Sequence, residues 1–415
     1  MTVLRGSVVL SVGTAIYQGS RLSLGLVAAA VLGPAVFGLW VLLLLVVQFS
    51  GFLGFGIANG AGRELPYLRG AAREQDAART EEAATAATLA LAGLAAAVGV
   101  VAGALILPMT MPDRVMAIAL LSLVMFLQQL VLWQQVSLRS SFRFGATALQ
   151  LATTGIVLLI VGLLVLPMGL TGLLVALLAA SVAGLSAARL ASPVRGVRLR
   201  WDLDAIRGLV AIGFPILLAG LLFALLTTVD RWLVLGFLGV DAVGVYGIAG
   251  MFVSGLLLVP AVLGQQFYPA LSFSHGSGRG LPDLMGDAAR QGRMTGWIVV
   301  ALGVPGAIVA IVAIPAFLPA YSEAVAPIAV ATVGVVAYAF SSGYGNLLNT
   351  IGAHWTYLRL QSAALILDLV AASLALAAGL RLLGVAVAFA VSMLVYAVLL
   401  AGAADRATRS AIPTR

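Results

Sequence analysis

The sequence contains no lysine and no cysteine in its 415 residues, and only two histidines. Without cysteine there are no disulfides, no thiolate metal sites and no thiol nucleophiles, and two histidines far apart in the chain make no recognisable metal site. His275 and His354 are expected in loops, as surface residues. Without lysine there is no Walker A phosphate loop, whose pattern requires one. No motif calls for a cofactor. Charge of either sign is scarce, at 9% of residues, where soluble domains carry about a quarter. The basic residues are 23 arginines against 15 acids, a net charge of +8. With heavy Ala, Gly, Leu and Val usage, an all-arginine basic set reads as compositional bias. The isoelectric point near 10.4 is therefore no argument for a nucleic-acid partner.

What fills the chain instead is apolar: 62% of residues are hydrophobic and the mean hydropathy is +1.12. A soluble globular protein is excluded, and the expected fold class is all-α, a polytopic membrane protein of about twelve transmembrane helices. A span needs about 20 apolar residues to cross a hydrocarbon core about 30 Å thick. Windows of that width fall near 8–32, 37–58, 83–108, 115–138, 146–167, 169–190, 208–237, 244–270, 294–316, 324–350, 359–380 and 383–404. The first stretch is too long for a signal-peptide core and reads as a retained span. Two long stretches are cut at 167–169 and 380–383, by Pro167 with Gly169 and by Arg381 with Gly384. The longest connectors, 59–82 and 271–293, lack sustained apolar periodicity and read as solvated loops with at most a short surface helix.

Arginine accumulates in short cytoplasmic loops. With the N-terminus inside, nineteen of the 23 arginines fall on the cytoplasmic side, only Arg114 and Arg381 fall in outer loops, and Arg21 and Arg231 fall within spans. Both termini are thus expected to be cytoplasmic, in a bacterial inner membrane. The outer loops are a few residues long and leave no room for a periplasmic catalytic domain, so no enzyme is expected.

The first outer turn reads Leu32-Gly33-Pro-Ala-Val-Phe-Gly38-Leu-Trp40, and the turn after the seventh span reads Leu238-Gly239-Val-Asp-Ala-Val-Gly244-Val-Tyr246. Both are LGxxxxG followed by an aliphatic and an aromatic, and glycines let the chain reverse sharply there and pack helix ends closely. Spans 1–2 and 7–8 therefore correspond, dividing the chain into an N-terminal lobe, 1–196, and a C-terminal lobe, 197–415. Spans 1 and 7 run the same way, so the lobes form a parallel pseudo-two-fold repeat, an architecture in which transporters hold substrate between the halves. The opening block, with Gly54-Phe-Gly-Ile-Ala-Asn-Gly60 leading to Arg63-Glu-Leu-Pro66, resembles the start of bacterial polysaccharide flippases. Asp230-Arg231-Trp-Leu-Val-Leu-Gly236, followed by Val243-Gly-Val-Tyr246 and Pro269-Ala-Leu-Ser272, is similar to the span 7–8 block of the O-antigen and exopolysaccharide flippases in the multidrug/oligosaccharidyl-lipid/polysaccharide exporter superfamily. The resemblance implies a V-shaped pair of six-helix lobes that moves an undecaprenyl-pyrophosphate-linked oligosaccharide from the cytoplasmic to the periplasmic leaflet by alternating access. It also implies a lipid-linked substrate, the bilayer and polysaccharide polymerases as partners. Each chain supplies both lobes, so a monomer is expected.

Ionisable groups inside spans cost about 2.5–3.5 kcal/mol on insertion scales and usually face the bundle interior or a wet cavity. Arg21 lies about 18 Å below the first outer turn and Arg231 about 12 Å below the corresponding one, from the helical rise. Either they make an inter-lobe cavity electropositive for a phosphate headgroup, which a guanidinium grips through two parallel hydrogen bonds, or they form salt bridges with Asp230 or Asp368, or they snorkel. Asp230 and Asp368 are the candidates for coupling or gating. Gln18 near Arg21, and Gln128 with Gln135 on one face of span 4, are candidates for binding sugar hydroxyls, with interhelical bonding as the alternative. Gln48, Gln129, Gln134, Asn346 and Asn349 are further polar residues of the spans, and Pro215, Pro260, Pro305 and Pro327 mark kinks that serve packing or gating. A cation-coupled exporter of small drugs is the competing function; it is expected to place more acids in its cavity than these two aspartates.

Overall fold

The structure, a computed structural model, describes residues 2–192 and 199–409. Arg195, Arg198, Arg415 and the lobe boundary expected near residue 196 lie outside the described residues. The chain divides into two compact units, Met1–Leu221 and Leu222–Arg415. The first holds α1 (Thr2–Ser50), α2 (Ile57–Gly70), α3 (Glu74–Ile106), α4 (Arg114–Ser140), α5 (Phe144–Gly162), α6 (Val165–Ala191) and most of α7 (Leu203–Leu226). The second holds the end of α7, then α8 (Val229–Leu238), α9 (Val240–Gly276), α10 (Leu281–Phe317), α11 (Val325–Thr350), α12 (His354–Ala377) and α13 (Arg381–Arg409).

Among the described residues, eleven helical segments are long and apolar enough to cross a membrane. The first accounts for two spans, because the 49 residues of α1 would reach about 70 Å if straight, more than twice the hydrocarbon thickness. The helix turns at Gly33, whose φ of 69° and ψ of 169° are not helical. The protein is thus an all-helical, multi-pass membrane protein with twelve spans. Gly239, the partner of Gly33 in the repeat, has φ 84° and ψ −177°. This backbone region is essentially closed to residues with a Cβ. A Cβ built on either glycine would meet nothing within 4 Å, so at positions 33 and 239 the repeat keeps glycine for the sharp reversal of the backbone.

Close packing uses other glycines. In the first unit, a Cβ on Gly213 of α7 would stand 1.9 Å from the Gly56 carbonyl oxygen, and one on Gly60 of α2 would stand 2.1 Å from that of Leu209. In the second, Gly343 of α11 lies against the Ala288 carbonyl and Gly292 of α10 against that of Phe340, at 2.0 and 2.1 Å by the same measure. Small residues bring helix backbones together where the apolar solvent gives no hydrophobic drive between helices.

Several boundaries differ from the sequence reading. Spans 5 and 6 part at Leu163 and Leu164, where two consecutive turns close; Gly169, taken as the divider, is a kink inside α6 with φ 55° and ψ −133°. The connector at 59–82 is not a solvated loop. It contains α2, whose Ile57, Ala61, Leu65 and Leu68 are buried, and α3 starts at Glu74. The connector at 271–293 shrinks to residues 277–280 because α9 and α10 run on past the apolar windows. Span 7 breaks in two at Thr227 and Thr228. Thr227 Oγ1 donates to the Phe223 carbonyl at 3.0 Å and Thr228 Oγ1 to that of Ala224 at 2.6 Å, back-bonds of the kind that bend helices.

The two arginines that the charge alternation leaves on the outer side have local work. Arg114 donates to the carbonyls of Ala104 at 2.6 Å and Leu107 at 3.1 Å, closing acceptors that the end of α3 leaves open. Arg381 pairs with Glu323 at 3.3 Å. At the opposite end of the first unit, Arg69 bridges Glu81 at 2.7 Å and Ser140 at 3.0 Å, and Ser137 donates to the same Glu81. Arg79 reaches Asp202 just before α7. Its hydrogen bond, helped by the Ala205 N–H, holds the Asp202 carboxyl below the usual carboxylate range.

Candidate functional site

The break in span 7 sets the site. Because α8 begins at Val229, Asp230 falls in its first turn, where the helix dipole favours a carboxylate. Asp230 Oδ1 accepts the Arg231 backbone N–H at 2.8 Å. Both residues are buried, at 5% and 7% exposure. The Arg231 guanidinium lies against Gly250 of α9, so closely that a Cβ there would stand 2.2 Å from Nη2. Its Nε has no hydrogen-bond partner.

Asp368 on α12 completes the cluster. It is wholly buried and neither carboxylate oxygen has a hydrogen-bond partner. Ser392 of α13 faces it without a well-aligned hydrogen bond. Asp368 lies near enough to Asp230 for the two carboxylates to repel each other, and Tyr246 of α9 brings its hydroxyl to Asp230. No ion pair within 4.0 Å joins Arg231 to Asp230 or Asp368. The second unit therefore encloses two acids and one base, a formal charge of −1 held away from bulk solvent, with oxygen atoms left to offer a ligand.

Other candidates sit in the first unit. Arg21 is exposed and lies over the Tyr17 ring with its guanidinium carbon 5.7 Å from the centroid. Gln18 is half-buried. Along α4 the glutamines divide by role. Gln129 donates to the Ser50 carbonyl, and Gln134 donates to that of Leu185 at 3.3 Å and accepts from Gln150 at 2.9 Å. These two hold helices together. Gln128 and Gln135 are half-buried and take no part in such bonds; Gln135 accepts only from Arg139, one turn along, at 3.4 Å. A small cleft opens beside the end of span 2, lined by Gly54, Asn59, Thr88, Gln129 and Trp133 among others; it contains none of the charged candidates. Tyr246 and Ser392 were missed as site residues. Tyr246 was legible only as the aromatic of the repeated turn, and nothing marks Ser392 in an apolar span.

The twelve spans, the two helical units and the buried charge make a polytopic membrane protein. Residues 27–318 match the family described as polysaccharide biosynthesis protein, and the chain belongs to that family. No protein of curated function matches the sequence. Its fold is similar to that of solved transporters of the MOP superfamily. A multidrug-resistance MATE-family transporter of that superfamily in its outward-facing conformation superposes with a TM-score of 0.72 at 14% identity, covering 99% of this chain and 96% of that one. A MATE transporter in complex with MaD3S gives 0.73 at 15% identity, with 99% and 96% covered. A MOP-superfamily transporter from Pyrococcus furiosus, described as having a binding pocket of reverse polarity that suggests a different function, gives 0.66 at 15% identity, with 100% and 96% covered. At such identities the likeness is one of fold.

Proposed function

We propose that this protein flips an undecaprenyl-pyrophosphate-linked oligosaccharide from the cytoplasmic to the periplasmic leaflet of a bacterial inner membrane, by alternating access of two lobes divided near residue 196. The observation that carries the reading is membership of the polysaccharide biosynthesis family over residues 27–318. The charges support an anionic substrate. Arg21 offers an exposed guanidinium, a group suited to grip phosphate oxygens in a planar fork. Gln18, Gln128 and Gln135 are the matching donors and acceptors for sugar hydroxyls. The pocket of reverse polarity described for the Pyrococcus furiosus transporter sets a precedent for this fold serving substrates unlike those of the drug exporters.

Arg231 takes a share in both tasks. Wedged against Gly250 and beside Asp230, it belongs in the resting state to the buried acid cluster and reaches a phosphate only by leaving its slot. Asp230 and Asp368 are the coupling groups. A cluster of formal charge −1 becomes neutral on taking up one monovalent cation, a proton or a sodium ion, and neutralising a buried charge removes the cost of holding it out of water. The membrane potential adds drive, since one elementary charge moved through 100 mV is worth about 2.3 kcal/mol. Both termini then face the cytoplasm, and polysaccharide polymerases are the partners that consume the flipped lipid.

The test is translocation of a labelled undecaprenyl-pyrophosphate oligosaccharide in proteoliposomes under an imposed potential, comparing wild type with Arg21→Ala, Arg231→Ala and Asp368→Asn. Wild type is expected to move the lipid and the three variants to fail while still folded. The drug-exporter reading, favoured by the MATE neighbours, takes over if wild type moves no lipid-linked glycan but exports cationic dyes against a cation gradient.

A further inference from the structure

Ten buried side-chain nitrogen and oxygen atoms have no hydrogen-bond partner among the described residues, and six of them lie on α12 and α13: both amide atoms of Gln361, both oxygens of Asp368, Ser392 Oγ and Tyr396 Oη. All four residues are 0% exposed. A buried polar group left unpaired suffers its whole desolvation cost, so such atoms are rare in native proteins and six in one seam call for a common explanation.

Their spacing puts them in a row. On α12, Tyr357, Gln361 and Asp368 are four and seven residues apart and share one face, with Gln361 about 10 Å from Asp368 along the axis. On α13, Ser392 and Tyr396 are one turn apart on the face that packs along α12. The two helices are antiparallel. Ser392 approaches Asp368 and the Tyr396 hydroxyl approaches that of Tyr357, in both cases without a well-aligned hydrogen bond, which sets Gln361 between these two levels. Tyr357 is half-buried and stands one turn from the start of α12 at His354. That end is the cytoplasmic one under the arginine alternation. The groups around the row are Tyr338 beside Tyr396 at 6.1 Å between ring centroids, and Asp230 beside Asp368.

We propose that the seam between α12 and α13 binds a file of water molecules, ordered by Tyr396, Gln361 and Ser392, that links Asp368 to the cytoplasmic face and carries protons to and from it. The inference rests on the coupling role given to Asp368 and adds the ligand and the route. Buried waters typically make about three hydrogen bonds to polar groups that lack other partners, and hydroxyl and amide groups offer both donors and acceptors. In each step one O–H bond breaks as the next forms, so that a hydronium at the cytoplasmic mouth and the Asp368 carboxylate become water and a carboxylic acid. Gln361 orients the waters and exchanges no proton.

Absence of native cysteine makes the test direct. Single substitutions Gln361→Cys, Ser392→Cys and Ala372→Cys are made in the full chain, reconstituted in vesicles, and treated with a small charged methanethiosulfonate from either side. Ala372 is buried on the same face of α12, one turn past Asp368. Reaction of Gln361→Cys and Ser392→Cys at least tenfold faster than Ala372→Cys, from the cytoplasmic side only, is the expected result. Equal rates at all three positions, or faster reaction from the other side, overturn the proposal. Gln361→Leu gives a second reading. A dry seam gains from losing two unpartnered atoms, so a raised Tm with unchanged proton flux, followed by a pH-sensitive dye, refutes the file. A Tm that does not rise and a proton flux at least tenfold slower support it. If the cysteines label as expected but no lipid-linked glycan moves, the flippase reading fails and the water file stands.

Discussion

The charge count of the buried cluster makes a prediction about stability that is separate from transport. With Asp230, Asp368 and Arg231 the second unit encloses a formal −1. Arg231→Met brings it to −2 and Asp368→Asn to zero, each without a large change in shape. Removing the cation of a buried set leaves uncompensated charge and costs about 3–5 kcal/mol. Removing the Asp368 charge recovers up to about 3 kcal/mol, the insertion cost of a charge near the membrane centre. For a unit of this size each kcal/mol moves Tm by about 2–4 °C. In detergent at about pH 9 and low sodium, the expected order is therefore Asp368→Asn above wild type by up to about 12 °C, and Arg231→Met below it by about 6–20 °C. Adding the coupling cation stabilises wild type by about 2.7 kcal/mol at one hundred times its dissociation constant, and leaves Asp368→Asn unchanged. A thermal-shift titration over sodium and over pH reads all three quantities and names the ion. The reasoning is refuted if Arg231→Met melts with wild type, or if Asp368→Asn responds to the cation as wild type does.

Packing and backbone predictions follow from the same geometry. Gly213→Ala drives a Cβ to 1.9 Å from the Gly56 carbonyl oxygen and is expected to destabilise by about 3 kcal/mol or more, whereas Gly208→Ala on the same helix meets nothing within 4 Å and should gain about 1 kcal/mol from helix propensity; melting of the two purified variants checks the contrast. Gly33→Ala and Gly239→Ala should each cost about 1–3 kcal/mol through backbone strain alone, so an Ala variant as stable as wild type would show the turn is not held as described. Asp202→Asn should destabilise at neutral pH and progressively less in acid. The Asp202 carboxyl is held below the usual carboxylate range, so the stability it contributes is present above its unfolded pKa of about 3.9 and is lost as pH falls through the folded value. A difference between variant and wild type that persists unchanged at pH 2 sinks that assignment.

How much of this was legible in the sequence depended on whether the signal was local. The twelve spans follow from hydropathy because each crosses the membrane on its own apolar length, and the repeat was visible because its backbone requires glycine at 33 and 239. The breaks were not legible. Thr227 and Thr228 interrupt span 7 with hydroxyls that hydropathy barely registers, and α2 is hidden in a polar stretch because only its buried side is apolar. Arg21, Arg231, Asp230 and Asp368 stood out as costly residues in spans, but the sequence left open whether the arginines act together or an arginine groups with an aspartate. The helix break and the packing of α12 set Arg231 near the two acids. That grouping depends on how α8 packs against α12, elements more than a hundred residues apart in the chain, information carried by tertiary packing and not by any window of the chain. The same reason explains Gln361, Ser392 and Tyr396. Each is an ordinary polar residue in its own span, and only the antiparallel register of two helices turns them into a row leading to a buried acid. A span that tolerates one unpaired polar group is unremarkable, but two adjacent spans that align four of them have accepted a stability cost in one place, and such costs persist in native proteins chiefly where function uses them.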